Sequence, residues 1–147
     1  MKKQIIPVIL LALCAALLLS ACTIIKEPDN LKADLEALGY EPKLYSSVDT
    51  AKYSSLASLF ELESTEGIYN ILVADGGTDK DSAMPLIVFF CSSKEVTDRV
   101  FEDAKDSLDK IVSVTGLASA DDCNLTKADN TVLVGHPEMI KVAKAGF

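Results

Sequence analysis

The 147-residue chain contains no tryptophan and only one histidine, His136. Without tryptophan the chain shows little sign of a sugar-stacking groove, so glycoside hydrolysis by paired carboxylates has little support. A Ser-His-Asp triad or a Cys-His pair would have to use His136. Because His136 stands directly before Pro137, we interpret it as a helix N-cap residue rather than a catalytic base.

The sequence also lacks a P-loop, a dinucleotide-binding fingerprint, a nucleophile elbow and a C-x-x-C pair. Basic residues are few, with 14 Lys and Arg against 22 Asp and Glu and a formal net charge of −8. Such a surface is repelled by nucleic acid and by anionic lipid headgroups. We therefore expect no nucleic-acid partner and no cofactor, and we predict that the chain is not an enzyme.

What is present at the N-terminus is an export signal in three parts. Lys2 and Lys3 form a positive start, and an uncharged apolar segment follows over residues 5–19. Ser20 and Ala21 then supply the small residues that a signal peptidase accepts. The segment predicts that the rest of the chain is exported.

The four residues Leu19, Ser20, Ala21 and Cys22 resemble the lipobox of bacterial lipoprotein precursors. The resemblance implies that the thiol of Cys22 carries a diacylglyceryl group and that the chain is cut just before it. It also implies an extracytoplasmic protein, anchored to the cell membrane or to an outer membrane. Two acyl chains form a stable membrane anchor, since each buried CH₂ group contributes ~0.8 kcal/mol to the free energy of membrane binding.

An uncleaved membrane helix is the alternative interpretation of this segment. No charged residue stands between Lys3 and Lys26, and about 20 apolar residues are enough to cross a bilayer. The short apolar region and the small residues before Cys22 favour cleavage. In both interpretations the domain lies outside the cytoplasm, because the N-terminal lysines stay inside.

Cleavage divides the chain into a signal peptide at 1–21, a lipidated tether at 22–28 and one small α+β domain at 29–147. The 126 residues that remain suffice for one domain with a core. Loss of Lys2 and Lys3 takes the formal net charge from −8 to −10. We therefore expect the membrane to be a partner through the lipid on Cys22, and not through the domain.

Two cysteines, Cys91 and Cys123, remain for the domain. An exported protein can form disulfides, so the two could pair. The alternative is that Cys91, which closes an apolar run, is a small buried hydrophobe. Two separated cysteines and one histidine have no zinc-binding spacing.

Hydrophobic spacing predicts the elements of the domain. The first helix ends in a Schellman motif at Gly39 and Tyr40, and the longest helix begins at a capping box of Ser92 and Glu95. Polar, irregular chain is predicted for residues 119–130. Helices are predicted from Asp29 or Asn30, from Asp49 or Thr50, from Ser92 and from Pro137, and strands over residues 43–47, 68–74, 85–91, 111–117 and 131–134.

This order contains a β-α-β-β-α-β pattern, which is the split βαβ or ferredoxin-like arrangement. We therefore predict a four- or five-stranded, mostly antiparallel sheet with helices on one face. An N-terminal helix and a C-terminal strand and helix complete the domain. The fold alone assigns no activity, since this arrangement hosts many.

The most site-like segment is the loop that carries Asp75, Asp79 and Asp81. Its carboxylates alternate around Gly76 and Gly77, so the loop could wrap a calcium ion, although it lacks the EF-hand pattern. An exposed hairpin loop needs the same residue types. A second acidic segment contains Asp121, Asp122 and Asp129, and the sequence leaves open whether the two meet.

These features are compatible with three functions. The first is a non-catalytic protein-interaction module of the cell envelope, held at the membrane by lipid, with an envelope protein as its partner. The second is a ligand- or calcium-binding module that uses the acidic loops. The third is an enzyme built on His136 or on gathered acids, which has the least support.

Overall fold

The computed structural model describes residues 24–74, 84–115 and 123–144. These ranges contain five helices and five strands. The helices are α1 (Pro28–Ala37), α2 (Thr50–Leu59), α3 (Lys94–Asp106), α4 (Leu108–Thr115) and α5 (Pro137–Ala143), and the strands are β1 (Lys43–Ser46), β2 (Ile68–Ala74), β3 (Leu86–Cys91), β4 (Asn124–Ala128) and β5 (Thr131–Gly135).

The strands form one open sheet in the order β1-β2-β3-β5-β4, and every neighbouring pair is antiparallel. The predicted α+β class and five-stranded antiparallel sheet are confirmed. Every residue of β3 and of β5 is buried, as expected when both faces of a sheet are covered.

Helices cover both faces of the sheet, so the prediction of helices on one face is wrong. Successive residues of a strand point to opposite faces, and Phe89 and Phe90 belong to two different cores. Phe89 packs edge-on against Phe60 at 4.8 Å between ring centroids. The first core lies beneath α2, α3 and α4, and the second beneath α1 and α5.

The register of the strands defines two ends of the sheet. At the far end, Ala74, Leu86 and Gly135 are aligned across β2, β3 and β5. At the opposite end Ile68 lies beside Cys91. We call this second end the tether end, because the N-terminal segment contacts the domain there.

The ferredoxin-like strand order is not found, and residues 60–67 explain why. In a split βαβ unit the strands joined by a helix run parallel, with another strand between them. Here β1 and β2 are direct neighbours and antiparallel, because residues 60–67 run back along α3 after α2. Ser107 Oγ donates to Phe60 O at 3.0 Å, and Arg99 Nη2 donates to Glu66 O at 2.5 Å.

A split arrangement does occur in the second half of the chain. Both β3 and β4 pair antiparallel with β5, so the two strands run parallel with β5 between them. The helices α3 and α4 join these strands.

Two predicted elements of this second half are wrong. The predicted strand over residues 111–117 is helical as far as Thr115, because Ile111 continues the buried helical stripe of Val100 and Ala104. Residues 116 and 117 lie outside the described parts of the chain. Residues 119–130 were expected to be irregular, yet they contain β4. As an edge strand, β4 has no fully buried residue, so its sequence stays polar and carries little strand signal.

Three predicted helix ends are confirmed and two are shifted. Helix α2 begins at Thr50 as predicted, whereas α1 begins at Pro28 after Glu27 and not from Asp29 or Asn30. The amides of Gly39 and Tyr40 donate to Glu36 O and Leu35 O, which completes the Schellman motif. His136 caps α5 with Pro137 in the first turn. The N-cap of α3 is Ser93, not Ser92, and its hydroxyl accepts from the amide of Val96 at 3.3 Å.

Candidate functional site

The residues predicted to carry lipid or metal lie outside the described parts of the chain. This applies to Leu19, Ser20, Ala21 and Cys22, the four residues that resemble a lipobox, and to the carboxylates Asp75, Asp79 and Asp81. The structure does describe the residues on either side of both segments. Those neighbours show where each segment attaches to the sheet.

The chain is fixed to the domain from Ile25 onward. Ile25 is 7% exposed and forms a β-bridge with Lys144. The amide of Lys26 donates to Ala143 O at 3.1 Å, and Lys26 Nζ lies 2.8 Å from a carboxylate oxygen of Asp34. Helix α1 begins two residues later at Pro28. The C-terminal part of the predicted tether is therefore a folded strap on the domain.

A recess of about 160 Å³ opens beside this strap at the tether end. Tyr69 forms part of its wall, and its ring lies 6.1 Å from that of Phe90. Burial raises the pKa of Tyr69, and the negative charge of Glu27 adds to the increase. The recess is lined by Ile25, Lys26, Glu27, Tyr69, Phe90, Cys91, Asp129, Asn130 and Thr131.

A wider hollow of about 300 Å³ lies on the other side of the β4–β5 turn. Lys127 Nζ donates to Asp98 Oδ1 at 2.6 Å and stands 4.7 Å above the ring centroid of Phe101. The hydrogen bond from Lys127 lowers the pKa of the Asp98 carboxyl. The hollow and the recess share Asp129 and Asn130, and this turn separates them.

The two remaining cysteines are free thiols inside the first core. Burial raises the pKa of both Cys91 and Cys123, which disfavours the reactive thiolate. Cys91 lies at the tether end of β3, whereas Cys123 directly precedes Asn124, which pairs with Gly135 at the far end. About five residues of strand, or about 17 Å, separate them, beyond the reach of a disulfide.

His136 is engaged in the fold at the far end. Its Nδ1 accepts a hydrogen bond from the amide of Glu138 at 3.2 Å. Glu138 in turn accepts from Lys141 at 2.6 Å. His136 therefore serves as a helix cap, and this is the role the sequence indicated.

The described residues contain neither a metal-binding cluster nor a membrane-spanning helix. Among residues 24–74, 84–115 and 123–144, no group of three or more His, Cys, Asp or Glu is placed to hold a metal ion. In the same ranges, no helix is long and apolar enough to cross a membrane.

Residues 75–83 and 116–122 attach to the same end of the sheet, whereas Asp129, which the sequence grouped with the second acidic segment, lies at the tether end. Residues 75–83 connect Ala74 to Met84, and residues 116–122 end at Cys123. Ala74, Leu86, Gly135 and Asn124 are aligned across four strands at the far end. Sequence periodicity does not show which strands are neighbours in the sheet. The observed strand order is what brings these attachment points to one end.

Comparison of the chain with models of known protein families found no match. Comparisons with curated proteins and with solved structures also found none.

Proposed function

We propose that this chain is a lipoprotein of the bacterial cell envelope, exported and then held at the membrane by lipid on Cys22. The motif of Leu19 to Cys22 after the apolar segment is the observation that carries this proposal. A diacylglyceryl group provides two chains, enough for a stable anchor. The strap at Ile25 supports it, because the folded domain begins directly after the modified residue.

We further propose that the domain acts by binding an envelope protein and not by catalysis. The candidate reactive groups support this, since Cys91 and Cys123 are buried with raised pKa values and His136 caps a helix. The open sheet ends in β1 and β4. Edge strands carry unpaired backbone groups with which a partner strand can pair.

Replacement of the modified cysteine tests the anchor. Full-length Cys22→Ser should lose partition into the detergent phase and the mass of the lipid, because the thiol that accepts the diacylglyceryl group is absent. Cys14→Ser is the matched control, since that cysteine lies in the discarded segment and should leave both readouts unchanged. Wild-type protein with an unmodified Cys22 in the intact mass spectrum would contradict the proposal.

Affinity capture tests the interaction role. Lipidated protein cross-linked in its native membrane and solubilised in detergent should retain a specific protein partner in stoichiometric amount. The Cys22→Ser protein should recover less of that partner, because it no longer shares its membrane. Recovery of no specific partner from cross-linked membranes would count against an interaction module.

Calcium binding is the second candidate, and it is favoured by the attachment of residues 75–83 and 116–122 at the far end. Carboxylate oxygens are the ligands that Ca²⁺ prefers. Millimolar calcium should then raise the melting temperature, and Asp75→Asn combined with Asp79→Asn should abolish the increase. A melting temperature that does not change up to millimolar calcium would remove this candidate.

A further inference from the structure

The chain between the lipid and the domain is very short. Cys22 stands three residues before Ile25, and a fully extended chain spans at most about 3.6 Å per residue, or about 11 Å in total. A compact domain of this length has a radius of gyration of about 14 Å. The connection is therefore shorter than the domain radius, so the domain cannot tumble freely above the membrane.

The domain end of this connection is rigid. The bridge to Lys144, the amide bond to Ala143 O and the ion pair with Asp34 hold residues 25 and 26. Helix α1 continues from Pro28 without a flexible spacer. One part of the domain surface must then stay beside the lipid.

The surface at the tether end carries exposed apolar side chains. The described residues include four exposed large hydrophobics, and three lie at the tether end. Ile24 is 55% exposed and precedes the strap, and Tyr69 is 45% exposed at the start of β2. Val48 is 83% exposed and follows Ser46, which pairs with Asn70. The fourth, Leu38, ends α1, about 15 Å from its start.

We propose that the tether end is held against the lipid surface, with Ile24, Val48 and Tyr69 in the headgroup region. This inference rests on the proposed lipidation of Cys22, and it revises the expectation from sequence that the domain itself does not contact the membrane. Tyrosine suits that position, because its ring is apolar and its hydroxyl is polar. The far end, to which residues 75–83 and 116–122 attach, then faces away from the membrane.

The charge of the tether end indicates which lipid headgroups this surface can contact. Glu27, Asp49 and Asp129 are exposed at the tether end, and the formal net charge of the domain is negative. Anionic headgroups would repel this face. We therefore commit to a zwitterionic lipid surface as its occupant, and to neither a protein partner nor a second copy of the chain.

Labels at two matched positions test the orientation. Val48→Cys and Leu38→Cys replace exposed aliphatic side chains at opposite ends, while Cys91 and Cys123 are buried and Cys22 is consumed by lipid. Each full-length, lipidated protein carries a fluorophore at the new cysteine and is reconstituted in phosphatidylcholine vesicles with a nitroxide headgroup quencher. We expect loss of most of the fluorescence at residue 48 and of little at residue 38.

An insertion serves as the second variant. Twenty Gly and Ser residues between Thr23 and Ile24 have a root-mean-square span of about 25 Å and should restore most of the fluorescence at residue 48. Ile24→Cys repeats the measurement should the label at residue 48 disturb folding.

Three results would contradict this proposal, either in the orientation or in the role of the short connection. Equal quenching at residues 48 and 38 in protein whose mass includes the lipid would do so and would leave the proposed anchor intact. Quenching at residue 48 that the insertion does not change would show that the short connection is not what holds this face. A label at residue 48 that is shielded from both lipid and aqueous quenchers would assign the face to a contact with a second copy of the chain. A mass without lipid would instead refute the proposed function itself.

Discussion

Tyr53 places a phenol hydroxyl inside the first core. The residue is 5% exposed, and its hydroxyl donates to Ile68 O across the gap between α2 and β2. Burial raises the pKa of Tyr53 to about 12, and the charge of Cys91 adds to this. The helical spacing of Tyr53, Leu56 and Phe60 places Tyr53 on the apolar face of α2. The acceptor, Ile68 O, lies fifteen residues away in the sequence, so only the tertiary structure brings it to the Tyr53 hydroxyl.

Tyr53→Phe should therefore lower the free energy of unfolding by about 1–3 kcal/mol, because Ile68 O loses its donor. The folded-state pKa lies above the unfolded value, so this contribution is present below about pH 10 and is lost as pH rises through about 12. Urea unfolding at several pH values should show the difference between the variant and wild type narrowing over that window. Tyr40→Phe is the control, and two parallel stability curves would contradict the prediction.

At the scale of elements, residues 60–67 decide the direction of β2. This segment contacts both α3 and α4, since Glu63 N donates to Asp103 Oδ2 of α3 at 3.0 Å and Lys110 Nζ of α4 donates to Glu61 Oε1 at 2.7 Å. Arg99 holds its last residues through Ser64 O and Glu66 O. Without this return path, a helix between β1 and β2 would leave the two strands parallel.

Arg99→Ala should release the end of this segment. The loss of charged hydrogen bonds to two carbonyls is expected to lower the free energy of unfolding by about 1.5–3 kcal/mol and to speed hydrogen exchange at residues 64–68. Lys105→Ala is the matched control, because Lys105 lies on the same helix, is exposed and pairs only loosely with Glu102 at 3.7 Å. Unchanged exchange in the segment would show that Arg99 does not hold it.

The whole molecule has two apolar cores that share one sheet. Phe89 and Phe90 are adjacent in β3 and are 0% and 2% exposed, one in each core. Neither layer of helices can separate without exposing a face of the same strands. The two layers should therefore unfold together.

Phe89→Ala and Phe90→Ala should each lower the free energy of unfolding by about 3–5 kcal/mol. Because the cores share the sheet, each variant should retain a single transition in which circular dichroism and tyrosine fluorescence change together. Val48→Ala, at an exposed turn, should stay within about 0.5 kcal/mol of wild type. A variant that melts in two steps would show that the layers are independent.

The elements that sequence predicted best are those with strong local signals. The apolar stripe of α3, the Schellman end of α1 and the cap at His136 depend on residues within one or two turns of each other, and all are confirmed. The failures lie where local signals conflict. Residues 111–115 are rich in β-branched side chains, yet they are helical because Ile111 extends the buried stripe of α3.

The candidate site likewise has one part that the sequence predicts and one part that it does not. A contiguous motif recognised in sequence, Leu19 to Cys22, carries the proposed anchor. The tether end was not visible, because residues 24, 48 and 69 are far apart in the chain and only strand pairing brings them to one end. Gly135 is similar, since a Cβ there would stand 2.2 Å from Pro85 O, and nothing local in the sequence marks that approach.

The sequence by itself therefore determined the α+β class, most helices, the central strands and the proposed cellular localisation, since spacing and short motifs are local properties of the chain. Tertiary structure alone decided the strand order, the covering of both sheet faces and the separation of Cys91 from Cys123. Those features depend on contacts between distant residues, and periodicity reports which side of an element is apolar but not which partner covers it. The resemblance of residues 19–22 to a lipobox predicts attachment to a membrane, and the strap at Ile25 underlies the proposal that the tether end meets it.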